Sequence, residues 1–392
     1  MTILYLTEHS PLAAGCGGAT RSRCLWQALC AVGSVRTLVF DGRHPARSER
    51  DAECGVTHLV LPDFYRGPSR RNPTWLKALL RGDFDDAAFA SRDEILRELG
   101  LAGESFDAVV VRYYWVLART AAWKVAPCFL DFDDLPSDYH ASTDWRDLHG
   151  LALLKARALV ALRQRVLCRR CRAVWLSNAA QCGRLTCQGR PAVALPNIAQ
   201  GPGAGYSVPE ADGGYLLSVG AMGYRPNAEG LLWFLENVWT KVRARHPNLA
   251  FKLVGKDFDE SLRARCAAFD GVEVVGFVAD LTTAYAPCLG LVAPLFSGGG
   301  TCIKVIESQM YGAKVFATER ALRGFTAGEI AASRSEVFSG ADDFLSALDR
   351  WLAPGPAARC AVRESIRAFA LRRNSPEAFN RIVAETIHTE VS

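Results

Sequence analysis

The sequence predicts an α/β protein with two domains, each built on a parallel sheet with crossover helices. Short apolar runs alternate with helical patterns along nearly the whole chain, which is typical of parallel strands joined by helices. The chain has 392 residues, more than one hydrophobic core usually organises. Residues 198–214 are rich in glycine and proline and lie between two such patterns, so we predict a linker there.

Composition favours a globular, cytoplasmic protein. Hydrophobic residues make up 49% of the chain and charged residues 22%, which permits sizeable cores. The chain lacks an uncharged apolar run of about 18 residues, and its N-terminus lacks a signal-peptide core. The 13 cysteines are scattered, which suits reduced thiols. Cys168-x2-Cys171 has the spacing of metal ligands but lies in a basic helical pattern without a supporting histidine, so we predict no metal.

Positive charge is concentrated in the first half of the chain. Residues 1–200 carry 26 Lys and Arg against 20 Asp and Glu, and residues 148–209 contain no acidic residue. A helix predicted at about 148–172 is therefore basic and rich in Leu and Ala. It could lie on an anionic membrane, face a phosphorylated acceptor, or present a solvated surface. The first alternative would make the protein peripheral at the inner membrane. Neither a motif nor aromatic interleaving indicates nucleic-acid binding.

In the first half, polar or glycine-bearing loops follow predicted strands. The strands are Ile3–Leu6, Val35–Phe40, Ala108–Val111, Cys128–Phe132, Ala173–Leu176 and Val193–Leu195. Gly17 and Gly18 lie between the first strand and a helix over Ala19–Val32, and Asp133 follows a later strand. Ligands of open α/β sheets bind at such positions, although Asp133 could instead cap a helix. Residues 112–114 are candidate ligand-binding residues for the same reason. His140 is expected at the surface. Residues 62–104 are predicted to be an insertion.

In the second half, two glycine turns fall at strand ends of one predicted sheet. Its strands are Tyr215–Val219, Phe251–Val254, Val272–Val275, Leu289–Ala293 and Lys314–Ala317. Gly220 follows the first strand, and Gly298, Gly299 and Gly300 follow the fourth and lead through Thr301 and Cys302 into a helix. Unpaired N–H groups at a helix start attract phosphate, and Lys304 and Glu307 share one helix face. The alternative is an ordinary helix start with a solvent-exposed Lys–Glu pair, but the second glycine turn favours a phosphate site. Two further helices are predicted at Ala357–Leu371 and Pro376–Glu390.

Three stretches of the second half carry a family resemblance. Residues 217–234 (LSVGAMGYRPNAEGLLWF), 247–255 (PNLAFKLVG) and 298–307 (GGGTCIKVIE) resemble the group-1 glycosyltransferases of family 4 in order and spacing. The resemblance covers residues 214 to about 325. It implies a GT-B fold with two Rossmann-like domains facing a cleft, an acceptor domain at 1–197, a donor domain at 215–372, and a C-terminal helix at 373–392 returning to the first domain.

The resemblance also implies an activity. Such enzymes transfer a sugar from a UDP- or GDP-sugar donor to an acceptor, here a polysaccharide, a lipid-linked molecule or a small molecule, with retention of configuration and without a metal or other cofactor. By position, Glu307 would bind the nucleotide ribose and the Thr301 region the diphosphate. Lys304, Arg225 and Lys256 are the available cations, and Gly17 and Gly18 match the first-domain loop that approaches the donor phosphates.

Two positions depart from the family pattern and keep other functions open. Gly299 stands where the first of two paired glutamates is often found, and Ala221 stands where an arginine often follows the strand-end glycine. The first change removes a usual contact to the donor sugar, and the second shifts the phosphate role toward Arg225 or Lys256. The alternatives are a GT-B sugar-nucleotide epimerase or hydrolase, and a catalytically silent GT-B scaffold partner.

Overall fold

The computed structural model describes residues 1–13, 17–40, 53–59, 90–138, 149–187, 192–199, 201–203, 205–210, 214–298 and 300–391. They form two compact units, of which the first comprises Met1–Pro196 with Pro376–Ser392 and the second Asn197–Ser375. Gly299, His140 and most of the predicted insertion at 62–104 lie outside the described residues.

The first unit is built on a parallel sheet of seven strands in the order β3-β2-β1-β4-β5-β6-β7. The strands are β1 (Thr2–Thr7), β2 (Ser34–Val39), β3 (Val56–His58), β4 (Ala108–Arg112), β5 (Cys128–Asp133), β6 (Ala173–Leu176) and β7 (Ala192–Ala194). All five residues of β4 are buried, as expected for a parallel strand covered on both faces.

Helices cover this sheet, and the last helix of the chain is one of them. They are α1 (Gly17–Val32), α2 (Arg92–Glu98), α3 (Tyr114–Thr120), α4 (Gly150–Arg170), α5 (Ala179–Cys187) and, from the C-terminus, α14 (Pro376–Val391), with a 3-10 turn at Ala122–Lys124. Helix α14 packs against α1, and the indole Nε1 of Trp175 donates to Thr386 Oγ1 at 3.3 Å. The C-terminal helix is therefore part of the first unit.

The second unit has a parallel sheet of six strands in the order β10-β9-β8-β11-β12-β13. The strands are β8 (Tyr215–Val219), β9 (Ala250–Val254), β10 (Val272–Gly276), β11 (Gly290–Ala293), β12 (Val315–Ala317) and β13 (Glu336–Val337). The predicted α/β class with two parallel sheets is confirmed.

The helices of the second unit include one irregular turn. They are α6 (Arg225–Phe234), α7 (Thr240–Arg245), α8 (Glu260–Ala267), α9 (Thr282–Tyr285), α10 (Ile303–Met310), α11 (Ala327–Ala332), α12 (Ala341–Leu352) and α13 (Pro356–Asn374), with a 3-10 turn at Glu319–Leu322. An apolar stripe at helical spacing follows Pro226 in the sequence and favours a regular helix, but a π-helical turn at Leu235–Trp239 interrupts it. All the large apolar residues of that turn are buried, so packing overrides the regular helical repeat.

One glycine sets how closely α6 approaches the sheet. A Cβ on Gly230 would collide with the carbonyl oxygen of Pro294, which follows β11. The helix therefore lies directly against the carboxyl end of β11. This close approach carries the first turn of α6 to the strand ends where the second unit forms its candidate site.

Both sheets reverse their strand order next to their first strand. The reversal lies between β1 and β4 in the first unit and between β8 and β11 in the second. Ligands of open α/β sheets bind in the crevice outside the carboxyl ends of the strands at such a point. The loops after these strands are therefore the candidate ligand-binding loops of each unit.

Candidate functional site

Two glycine turns of the second unit touch each other at the carboxyl ends of β8 and β9. The N–H of Gly220 donates to the carbonyl of Val254 at 3.0 Å. Gly255 has φ +148°, and a Cβ there would collide with the Gly220 carbonyl oxygen. Only glycine lets the two backbones approach so closely. The contact leaves the Cα of Gly220 facing helix α10.

Lys304 of α10 lies directly beside the Gly220 turn. Its Nζ donates to Asn227 Oδ1 at 2.8 Å, and Asn227 Nδ2 donates to the carbonyl of Ala221 at 2.8 Å. A Cβ on Gly220 would lie 2.9 Å from Lys304 Nζ, so the ammonium group occupies the space that a side chain there would need. Burial lowers the pKa of Lys304, while Cys302 and Glu307 nearby act in the opposite direction.

Glu307, one turn further along α10, is held by a buried tyrosine. Tyr285 Oη donates to Glu307 Oε2 at 3.0 Å, and the Tyr285 ring stacks on Tyr311 with centroids 5.0 Å apart. Burial raises the pKa of Glu307, whereas the Tyr285 hydrogen bond and Lys304 lower it. The carboxylate remains partly exposed, so it can accept a hydrogen bond from a ligand hydroxyl.

The glycine loop before α10 is fixed by two arginines. Gly298 has φ +99° and Gly300 φ +72°, both in the left-handed region that favours glycine. The carbonyl oxygen of Gly298 accepts hydrogen bonds from Arg320 Nη2, at 2.6 Å, and from Arg323 Nη1. Sequence reasoning missed both arginines, although their place just after β12 at the same sheet edge was a usable signal.

Thr301 and Cys302 form the buried start of α10. Thr301 is 9% exposed, and a Cβ on Gly324 would lie 3.2 Å from its Oγ1. Cys302 is the N-cap residue of the helix, and burial raises the pKa of its thiol. A buried, neutral thiol is a packing group rather than a nucleophile. The first turn of α10 begins here, and backbone N–H groups at the start of a helix can bind an anion.

The other two predicted cations are more exposed than Lys304. The Arg225 side chain is 76% exposed, and its Nε lies 2.5 Å from Glu229 Oε1 on the same helix. Lys256 is also exposed, and its backbone carbonyl accepts from the N–H of Met222 at 2.9 Å. Lys304 is therefore the predicted cation that lies inside the group formed by Gly220, Asn227 and α10.

The first unit carries a buried charge network beneath its own strand ends. Arg21 of α1 donates from Nη2 to Asp131 Oδ1 at 2.6 Å and from Nε to Asp131 Oδ2 at 3.0 Å. Arg112 Nη1, from β4, lies 3.3 Å from Asp131 Oδ2. Asp131 and Arg112 are completely buried, and Arg21 is nearly so. These ion pairs join α1, β4 and β5 and fix the loops that follow both strands.

Asp133 lies above this network in an uncommon backbone conformation. Its φ is +67°, and Tyr113 at the end of β4 has φ +74°. Asp133 lies 3.8 Å from Arg21 Nε and 3.5 Å from Arg112 Nη2, and its side chain is 26% exposed. Strained residues held by their surroundings are frequent at functional sites. The two guanidinium groups hold the Asp133 carboxylate at the exposed edge of the sheet.

The loop after β1 brings one more residue to this edge, which sequence reasoning missed. Helix α1 begins at Gly17, and a Cβ on Gly18 would collide with the imidazole of His9 and lie 3.1 Å from Tyr113 Oη. The His9 and Tyr113 rings meet edge to face at 5.7 Å, and burial lowers the pKa of His9. Gly18 therefore allows close packing of His9 and Tyr113 at this edge of the sheet.

Two Rossmann-like units, with the C-terminal helix joined to the first, constitute the GT-B fold. The chain is similar to a glycosyltransferase from Rickettsia africae, at 12% identity and a TM-score of 0.59, covering 100% of this chain and 98% of that one. It is also similar to Anabaena Alr3699/HepE, solved with UDP and glucose, at 13% identity, a TM-score of 0.60 and coverage of 99% and 100%. A third similar structure is WaaG, a glycosyltransferase involved in lipopolysaccharide biosynthesis. Its sequence identity is 16% and its TM-score 0.57, and the match covers 97% of this chain and 99% of that one. The predicted GT-B fold is confirmed.

A family model matches the sequence of the second unit. Residues 213–352 match the family model described as glycosyl transferases group 1, and the predicted resemblance is confirmed over this stretch. A search of curated proteins gave no match. The family match and the fold together support glycosyltransferase activity. Among the described residues, every helix is too short or too polar to cross a bilayer.

Proposed function

We propose that this protein is a retaining glycosyltransferase that moves a sugar from a UDP- or GDP-sugar to a carbohydrate, lipid-linked or small-molecule acceptor. The observation that carries the proposal is the placement of Lys304 and Glu307 on one helix, beside the Gly220 turn, where the strand order of the second sheet reverses. A cation and a hydrogen-bond acceptor one helical turn apart match the diphosphate and the ribose of one nucleotide.

The donor diphosphate would be bound at the start of α10. Lys304 supplies a positive charge. The backbone N–H groups in the first turn of α10, which follows Gly300, Thr301 and Cys302, supply hydrogen-bond donors. Both stabilise the negative charge that develops on the leaving nucleoside diphosphate. Glu307 accepts a hydrogen bond from a ribose hydroxyl. Gly220 and Gly298 allow Lys304 and Tyr224 to pack closely against their backbones, and the exposed Arg225 and Lys256 attract the anion from the surface.

The acceptor would bind mainly to the first unit. Asp133 presents a partly exposed carboxylate, which accepts a hydrogen bond from an acceptor hydroxyl. The loop at Gly17 and Gly18 carries the start of α1, whose N–H groups attract the donor phosphates. Because Arg21 and Arg112 fix Asp133, the carboxylate is oriented before the acceptor arrives.

In the proposed reaction, the bond between the sugar C1 and the diphosphate oxygen breaks as the acceptor oxygen bonds to C1 on the same face. The acceptor proton passes to the leaving phosphate oxygen. Such a step needs neither a protein nucleophile nor a metal ion. Lys304 and the α10 N–H groups contribute by stabilising the leaving group, which lowers the barrier.

Product analysis tests this function against its rivals. The chain is incubated with UDP- and GDP-sugars, with and without mixed carbohydrate acceptors, and the products are followed by proton NMR. We expect transfer that depends on an acceptor and keeps the anomeric configuration of the donor. Rapid acceptor-independent release of free sugar, or an epimerised donor, would favour the hydrolase or epimerase. Nucleotide binding without any turnover would favour the scaffold partner.

We further propose that α4 attaches the protein to an anionic membrane surface. Leu151 is 85% exposed and Leu154 62%, which is unusual for leucines in a helix. The helix carries Lys155 and five arginines and no acidic residue. Leucines and basic residues are intermingled rather than separated, so the long basic side chains would extend to the lipid headgroups while the leucines enter the interface.

Replacing Leu151 and Leu154 with serine is expected to weaken binding to vesicles containing about one third anionic lipid. Each basic residue near such a surface contributes about 1 kcal/mol, so wild-type binding should fall as salt rises and vanish on zwitterionic vesicles. Cosedimentation measures the bound fraction. Phe277→Ser, which removes a residue of the second unit that is 73% exposed, is the matched control. Wild-type protein that stays in the supernatant with anionic vesicles would contradict the proposal.

A further inference from the structure

Asn227 connects the β8 turn to the cation of α10 through both ends of its amide. Its Oδ1 accepts from Lys304 Nζ at 2.8 Å, and its Nδ2 donates to the Ala221 carbonyl at 2.8 Å. Its own N–H donates to the Tyr224 carbonyl at 2.9 Å, which fixes the residue in the first turn of α6. The amide orientation is thereby determined, because the carbonyl of Ala221 requires a donor and the ammonium group requires an acceptor.

The chemistry of this contact matters because Lys304 is long and flexible. A lysine side chain has several rotatable bonds, and holding it in one geometry costs conformational entropy. A hydrogen bond to a neutral amide holds the ammonium group before a ligand arrives and adds no negative charge beside it. A carboxylate at the same position would also hold the ammonium group but would neutralise it.

The sequence around the turn explains why one lysine needs such support. Ala221 lacks a charged side chain, and the exposed Arg225 is paired with Glu229 on the outer side of α6. Lys304 packs against Gly220, which has no side chain, and is itself partly exposed. Lys304 therefore takes the part in diphosphate binding that an arginine at position 221 would have. Asn227 in turn positions the Lys304 side chain.

We propose that Asn227 is a positioning residue that holds Lys304 against the second phosphate of the donor, and thereby gives the site its preference for nucleoside diphosphates over monophosphates. The inference rests on the proposed function, in which the second unit binds the nucleotide of a sugar donor. It assigns the preference to a neutral amide rather than to an additional charge.

Titration calorimetry with UDP and UMP, or with GDP and GMP if the guanine pair binds wild type, tests this inference. For Asn227→Ala we expect the affinity for the diphosphate to fall about 10-fold, as loss of a hydrogen bond to a charged group implies, with the monophosphate affinity nearly unchanged. Asn227→Asp should lower diphosphate affinity at least as much, because the new carboxylate neutralises Lys304. Asn237→Ala, which removes another asparagine bonded to a backbone carbonyl, should bind like wild type.

Three results would count against the inference. Equal losses for the diphosphate and the monophosphate in Asn227→Ala would mean a purely structural role for the amide, and unchanged diphosphate binding would mean no role. If the alanine variant does not fold, wild-type diphosphate affinity in Asn227→Asp would overturn the inference by itself. Wild-type protein that binds none of the four nucleotides would overturn the proposed function and this inference with it.

Discussion

Asp131→Ala is expected to destabilise the first unit by about 3–5 kcal/mol, the cost of breaking a buried ion pair from one side. The carboxylate is completely buried and is bonded to Arg21 and Arg112, which are themselves buried. Its removal takes away the closer and more buried of the two carboxylates that these guanidinium groups share, and leaves them with the more distant Asp133. The free energy of unfolding from urea denaturation, monitored by tryptophan fluorescence, measures the effect.

An exposed ion pair of the same unit provides the control for this prediction. Asp138 pairs with Arg184, and their side chains are 37% and 54% exposed. Exposed pairs contribute at most about 1 kcal/mol, so Arg184→Ala should change the free energy of unfolding by no more than that. Equal effects of the two substitutions would show that the Asp131 network does not stabilise the first unit as described.

Glu307→Gln is expected to lower the affinity for the nucleoside diphosphate about 10- to 100-fold. A hydrogen bond to a charged group contributes about 1.5–3 kcal/mol, and the amide both removes the charge and disturbs the bond from Tyr285. The dissociation constant, measured by titration calorimetry on the variant and the wild type, checks this. The thermal unfolding midpoint should remain close to that of wild type.

Glu260→Gln is the matched control, since Glu260 is an exposed residue in the first turn of α8. It should leave the dissociation constant unchanged. If Glu307→Gln binds the nucleotide as tightly as wild type while remaining folded, Glu307 is not the ribose acceptor. The position of the nucleotide on α10 would then have to be reassigned.

The elements of the second unit that local sequence determines were predictable. The strand at 215–219, the turn at Gly220 and the glycine loop before α10 follow from hydrophobic runs and from glycine. Lys304 and Glu307 share a helix face because of helical spacing alone. The two turns lie far apart in the chain, and their common place at strand ends of one predicted sheet connected them.

The partners of these residues could not be predicted, because they come from distant segments. Lys304 and Asn227 are 77 residues apart, and Arg21 and Asp131 are 110 apart. Helical periodicity contains no information on such pairs, which depend on how helices pack across the sheet. The same limit applies to the π-helical turn at Leu235–Trp239, where tertiary packing overrides a regular apolar stripe.

Strand ends were the better guide in the first unit. Polar residues after predicted strands indicated residues 112–114 and Asp133, and the structure places Tyr113 and Asp133 at one edge with positive φ. His9 was not predicted, because a histidine after a first strand is unremarkable in sequence. Its contact with Gly18 and Tyr113 depends on the pairing of β1 with β4.

Titration calorimetry of the wild-type chain with UDP and with GDP is the most direct test of the central claim, that the second unit binds the nucleotide of a sugar donor at α10. We predict saturable binding of one of the two nucleotides with one site per chain, and its loss in the Lys304→Ala/Glu307→Ala double variant. No binding of either nucleotide to the folded wild-type chain at millimolar concentration would contradict the claim, as would unchanged binding by the double variant.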